Sequence, residues 1–188
     1  MNKLIHFLSF CIITLALQGQ GLINNGATIS VNSAYVTIYG ANGHFLNSDN
    51  GTYTGTVDLK GTIDLDGNWT NNSAGNVMTS TSNGTVIMNG NIQQKIKGNT
   101  ATNFYNLTFA NTYGTSPHIS MEVSTNVLHD LTLPATNNIG CTDTAITLAL
   151  GKDASNTGEL KPNDGSNYTG GYLIGGSMKR WYAAATNS

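Results

Sequence analysis

Charge is scarce in this sequence. Lys, Arg, Asp and Glu together supply 10% of the 188 residues, and the formal net charge is −2. A protein that grips nucleic acid needs a basic patch facing the phosphates, and so weak a charge supply argues against one. Cysteine is nearly absent: Cys11 and Cys141 are the two in the chain. Cys11 lies in the N-terminal apolar stretch, so the remaining chain keeps one cysteine and has no internal disulfide framework. Cys141 reads as a small buried residue. Beyond Leu17 no apolar run is long enough to span a membrane as a helix. No long stretch carries apolar residues at i, i+3, i+4 and i+7 either, so helices are not expected.

What is abundant is Asn, Thr, Ser and Gly. The 22 glycines and three prolines suit many tight turns between short strands. Low charge with many polar amides is also one signature of disorder. Regular β-patterning favours order here. Alternating runs occur at ATISV (27–31), YVTIY (35–39), TVDL (56–59), TIDL (62–65) and TVIM (85–88). More follow at QKIKG (94–98), FYNLTFA (104–110), VLHDLTL (127–133) and AITLAL (145–150). Each has the period-two pattern of a strand, and turn chemistry (NG, DG, SNG, NTYG) separates them. Phe104, Leu107 and Phe109 do not share one parity, which a bulge or two-sided burial would reconcile.

The N-terminus reads as a leader. MNK supplies a positive start, and LIHFLSFCIITLAL has the length of a signal-peptide core, short of the ~20 residues a membrane helix needs. Cleavage is expected between Ala16 and Gly21, leaving residues 21–188 as one β-repeat domain after a signal peptide over 1–20. Phe10 precedes Cys11 where a lipoprotein signal wants a small residue, so lipid anchoring is not expected. The mature chain is expected to be secreted or carried on the cell surface.

One short phrase is written twice. GTIDLDGNWTN begins at Gly61 and GTVIMNGNIQQ at Gly84, an offset of 84 − 61 = 23 residues. No catalytic residue type sits at matched positions in both copies, so a fold unit is being repeated. Recurrence near 20 residues is the mark of a solenoid whose coils bury their faces against their neighbours. Stacking places like on like, and Asn and Thr can ladder between coils. The expected fold is all-β: a right-handed parallel β-helix or a β-solenoid close to it, with a β-sandwich as the alternative.

These residues resemble a repeat common in large exported proteins of the Bacteroidetes. The resemblance rests on Gly61, Gly67, Trp69 and Asn71, then Gly84, Gly90, Gln94, Ile96 and Gly98. It continues through Phe104, Asn106, Leu107 and Asn111, then Val127, Leu131 and Leu133, and closes on GGYLIGGSMKRW (170–181). It covers roughly residues 24–182, and Gln-x-Ile-x-Gly and Phe-x-Asn-Leu are its most specific pieces. It implies an adhesin-like β-helical stalk region of a secreted or surface protein. Relatives often carry a C-terminal sorting domain for type IX secretion. This chain stops at AAATNS, just after the RW pair where relatives continue, so a fragment or truncated reading frame is expected.

Reactive residues are few. Asp64 and Asp66 share one strand face and are weak candidates for Ca²⁺ or for a carboxylate pair in sugar cleavage; a solvated face is the plainer reading. His44, His118 and His129 show no metal-ligand spacing, and no cofactor is expected. His129 and Asp130 are neighbours on a strand, so they should face opposite ways and form no pair. No Ser lies in a G-x-S-x-G elbow, and the domain is not expected to be an enzyme. Thr144, in Asp143-Thr144-Ala145, is a weak O-glycosylation candidate, and six N-x-S/T sequons read as chance in so Asn-rich a chain. Trp69 and Phe104 fall in the repeat frame and are expected in the core. Tyr105, Tyr113 and Tyr168 are further candidates for a sugar-stacking platform, and Tyr172, Trp181 and Tyr182, close together near the C-terminus, could bind glycan or pack against a further unit. The expected partners are a surface glycan, a host or matrix protein, and the export machinery. Gathering of Asp64, Asp66 and these aromatics in one groove would favour carbohydrate binding or processing. Their separation would favour a non-catalytic stalk.

Overall fold

The structure is a computed structural model that describes residues 21–133, 137–161 and 171–182. The leader, Tyr168 and the sequon at Asn167 lie outside the described residues. The first coil holds β1 (Leu22–Asn25), β2 (Thr28–Val31) and β3 (Tyr35–Ile38), and the second β4 (Phe45–Ser48), β5 (Thr56–Leu59) and β6 (Thr62–Leu65). Then come β7 (Trp69–Asn71), β8 (Thr85–Met88), β9 (Gln94–Gly98), β10 (Thr102–Phe109), β11 (Ile119–Met121) and β12 (Thr125–Thr132). β13 (Ile139–Cys141), β14 (Thr147–Leu150), β15 (Glu159–Lys161), β16 (Leu173–Ile174) and β17 (Ser177–Arg180) follow.

Each strand pairs in parallel with its equivalent one coil away. A seven-stranded sheet runs β1-β4-β7-β9-β11-β13-β16. An eight-stranded sheet runs β17-β14-β12-β10-β8-β6-β3 with β15 beside β12, and β2 pairs with β5. Parallel neighbours need a long crossover, and here the rest of the coil provides it. The chain is a parallel β-solenoid, and the sandwich alternative falls because sandwich sheets are antiparallel. Thr62 stands opposite Thr85 and Leu65 opposite Met88, so the 23-residue echo in the sequence is one coil lying on the next.

The core is built of stacks running along the axis. On the eight-stranded sheet Val36, Ile63, Val86, Leu107 and Leu131 follow one another in register, with Leu65, Met88 and Phe109 beside them. Facing them, Phe45, Trp69, Ile96 and Met121 form the stack of the seven-stranded sheet. Phe45 and Trp69 lie nearly face to face at 4.1 Å, and Phe104 meets Trp69 edge-on at 5.1 Å. The Trp69 indole N–H donates to Thr102 Oγ1 at 3.1 Å, so the one polar atom of this buried ring is satisfied.

Two corners of the coil are filled by buried amides. Asn24, Asn47 and Asn71 stand in register. Asn24 Nδ2 donates to Asn47 Oδ1 at 2.8 Å, and Asn47 Nδ2 donates to Asn71 Oδ1 at 3.3 Å. Gln94 fills another corner: its Nε2 donates to the Leu65 and Gly67 carbonyls, and its Oε1 accepts from Gly90 N–H and Asn111 Nδ2. Side-chain amides satisfy turn carbonyls that would otherwise be orphaned in the interior. At Gly84 a Cβ would strike the carbonyl oxygen of Gly61, one coil below, so these matched glycines let the coils close on each other.

Of the two ways to reconcile the parity of FYNLTFA, the structure has the bulge, with the extra residue on β12. Between Phe104 and Asn106 the pairing with β12 shifts, so Tyr105 alone stands against Leu128 and His129. Tyr105 and Asn106 both face outward, as do the three consecutive residues Leu128, His129 and Asp130. One coil later the chain leaves the sheet between Leu150 and Glu159 before β15 resumes the pairing.

Candidate functional site

The sequence-predicted residues do not gather in one place. Asp64 and Asp66 lie at β6 and just after it. Asp64 Oδ2 accepts from the Tyr35 hydroxyl at 2.6 Å, and Asp66 Oδ2 accepts from Gly40 N–H at 2.8 Å. The bond to Asp64, with some burial and the Asp64 charge, raises the Tyr35 pKa above its ordinary value. Asp64 Oδ1 is buried with no hydrogen-bond partner among the described residues. Each carboxylate serves its own contact, and no group of three His, Cys, Asp or Glu side chains that could hold a metal occurs among the described residues.

Tyr172 lies just before β16, at the end of the seven-stranded sheet, and is exposed. Trp181 and Tyr182 follow β17, at the end of the eight-stranded sheet. Lys179 Nζ lies 4.5 Å from the centre of the Trp181 ring, whereas Arg180 lies over Tyr182 at 5.7 Å. Thr144 is exposed in the turn between β13 and β14, where Asp143 Oδ1 accepts from Ala145 N–H. Asn71, one of the sequon residues, is fully buried in its ladder.

Two histidines have a structural duty that their spacing did not reveal. His44 Nδ1 accepts from Asn68 N–H at 2.9 Å, and His118 Nδ1 accepts from Asn138 N–H at 3.1 Å. Each stands just before a strand of the seven-stranded sheet and ties its coil to the next. Burial, with a smaller contribution from the Lys97 charge, pushes His44 below its ordinary value. Carboxylates make similar ties. Asp49 accepts from Ser73 Oγ at 2.6 Å and from Ala74 N–H, and these bonds hold its pKa low.

His129 corrects an expectation. Simple alternation sets it and Asp130 on opposite faces, but the bulge turns both outward, and His129 Nδ1 lies 2.9 Å from Asp130 Oδ1. The other oxygen of Asp130 is held by Lys161 Nζ at 2.8 Å. Tyr105 stacks flat on the His129 ring, at 5.0 Å and 7°. This pair lies in a groove of about 1300 Å³ on the outer face of the eight-stranded sheet. Asn103, Asn126, Ala149 and Lys179 cross its floor in register. The excursion after Leu150 and the 76–82 loop border it, and Trp181 lines it too. Of the aromatics singled out in the sequence as candidates for sugar stacking, Tyr105 and Trp181 line the groove.

No family model, no curated protein and no solved structure matches the chain.

Proposed function

We propose that the chain is a non-catalytic structural and adhesive segment of an exported bacterial protein, at the cell surface or released from it. One observation carries this reading: nearly every residue of the recurrent motif is spent on stacking coil upon coil. Trp69, Ile96, Phe104 and Leu107 fill the core. Asn71, Gln94 and Asn111 occupy the amide corners. Asn106 Oδ1 receives Asp130 N–H at the bulge. The repeated residues thus build a rod of parallel strands, and the irregular outward positions are left to vary and to make contacts. The separation of Asp64 and Asp66 from the C-terminal aromatics supports the same reading. The resemblance to exported β-repeat proteins and the leader-like N-terminus support a role outside the inner membrane.

The test is to express the full chain with its own leader and a C-terminal epitope in a bacterial host, then fractionate the cells. The mature protein should start between Ala16 and Gly21 and be recovered outside the inner membrane, folded and rich in β-structure by circular dichroism. Recovery of the uncleaved chain in the cytoplasm would sink the proposal.

A further inference from the structure

We propose that the groove on the outer face of the eight-stranded sheet binds a linear acidic polysaccharide. The inference rests on the adhesive reading above and gives it a site and a ligand class. The groove, of about 1300 Å³, exceeds the ~300–1,000 Å³ of a site for one small molecule, and its lining crosses β10, β12, β14 and β17 from coil to coil. Its length favours a chain over a single sugar. Val127, Leu150 and Arg180 stand in register on β12, β14 and β17, so the residues that follow them, Leu128, Gly151 and Trp181, succeed one another along the axis. Tyr105 precedes Leu128 in the same row. Strands lie about 4.8 Å apart, so this row runs three spacings, ~14 Å, from Tyr105 to Trp181. At Gly151 the row passes beneath the excursion, whose Asn156 and Thr157 backbone lies against this glycine and separates the Tyr105–His129 stack from Trp181.

The lining has the two chemistries that a sugar ring needs. Aromatic rings and Leu128 offer flat apolar surface to the C–H faces of the ring. Amides offer donors and acceptors to its hydroxyls. Asn126 Nδ2 donates to Asn103 Oδ1 at 2.6 Å, and Asn103 N–H donates to Asn76 Oδ1 at 2.9 Å. Asn126 Oδ1 and Asn103 Nδ2 keep no partner among the described residues, so a row of fixed amides faces the groove with free capacity.

Charge decides the class of glycan. Lys152 and Lys179 line the groove, and neither forms an ion pair among the described residues. The carboxylate in the lining, Glu159, lies 3.5 Å from Lys161 Nζ, which also holds Asp130. The lining thus sets two cations, Lys152 beside Asp153 and Lys179 over the Trp181 ring, against one carboxylate, Glu159, in a protein whose net charge is −2. Sugars that carry carboxylates at intervals along the chain complement that arrangement.

The test is affinity electrophoresis of the full mature chain through gels containing polygalacturonate or alginate, with xylan and hydroxyethyl cellulose as neutral chains. Retardation is expected in the acidic gels and not in the neutral ones. Tyr105→Ala and Trp181→Ala should each weaken it about tenfold, with the unfolding midpoint unchanged. Lys179→Met should weaken it less and flatten its dependence on salt. Mobility unchanged in both acidic gels would overturn the inference. Equal retardation in neutral gels would overturn the acidic class, and retardation indifferent to Tyr105→Ala and Trp181→Ala would overturn the groove. None of these failures would touch the export test, which fails separately if the chain stays uncleaved in the cytoplasm.

Discussion

The two long sheets of this solenoid use different side chains for the same task. The eight-stranded sheet faces the core mostly with aliphatic residues, Val, Ile, Leu and Met, stacked coil on coil, with Phe104 and Phe109 of β10 among them. The seven-stranded sheet sets an aromatic pair, Phe45 on Trp69, beside a column of fully or nearly buried asparagines. Aliphatic stacks are non-directional and tolerate small changes of shape. An amide column is directional: each Asn must meet the next at hydrogen-bond distance, or a polar group is stranded in the interior. The aliphatic sheet thus supplies bulk burial. The amide and aromatic sheet fixes which coil lies on which, and at what register.

The largest test of that contrast is Trp69→Ala. It removes a side chain with no solvent exposure and the donor to Thr102. Chemical denaturation should show a loss of ~3–5 kcal/mol. A loss below ~1 kcal/mol would mean that the Phe45–Trp69 stack does not anchor its sheet. Next is a matched pair. Asn47→Leu keeps the side-chain size but breaks the bonds to the amides on either side and orphans the Gly55 carbonyl. It should cost ~1–3 kcal/mol although it adds apolar surface. Ile63→Val, at an equally buried position of the aliphatic sheet, should cost ~0.5–1.5 kcal/mol. If Asn47→Leu stabilises the protein, the amide column has no role in holding the register.

Smaller still is the effect of pH. His44 is held below its ordinary value of 6.5 in the fold, so between the folded and unfolded values the unfolded chain binds more protons. Stability is then full above pH 6.5 and falls as pH drops through that window. Asp49 and Asp58 behave differently. Hydrogen bonds hold both below 3.8 in the fold, so their contribution is present above that value and is lost as pH falls beneath it. Thermal unfolding between pH 7 and 3 should show a first decline below 6.5 and a second below 3.8. His44→Gln should remove the first decline, and persistence of the full slope in that variant would assign it elsewhere.

Legibility in the sequence divides along the same line. Runs such as TIDL and TVIM alternate cleanly because their inward positions are aliphatic, and most strands of the eight-stranded sheet stand out for that reason. β1, β4, β7, β11, β13, β15, β16 and β17 went unread. They are two to four residues long; Asn24, Asn47 and Asn71 sit buried where alternation calls for an apolar residue, and β15 and β17 bury none of their side chains. QKIKG was legible because Ile96 keeps the apolar beat. Gly61 and Gly84 announced the coil length directly, since backbone packs on backbone there. The groove was not legible. Tyr105 and His129 are 24 residues apart and meet only because a bulge turns Leu128, His129 and Asp130 outward together. The parity break in FYNLTFA was the one local sign of it. His44 and His118 looked scattered because each caps a neighbouring coil, so no spacing within one segment marks the role.

The central claim is that inward repeat residues hold the coils together while the outward groove residues are free to make contacts. Equilibrium unfolding of Trp69→Ala alongside Tyr105→Ala and Trp181→Ala tests it most directly. The account predicts a loss of ~3–5 kcal/mol for the first and changes within ~0.5 kcal/mol for the other two. Losses of similar size in all three would contradict it, because Tyr105 and Trp181 would then be packing elements of the rod and not a surface kept for a partner.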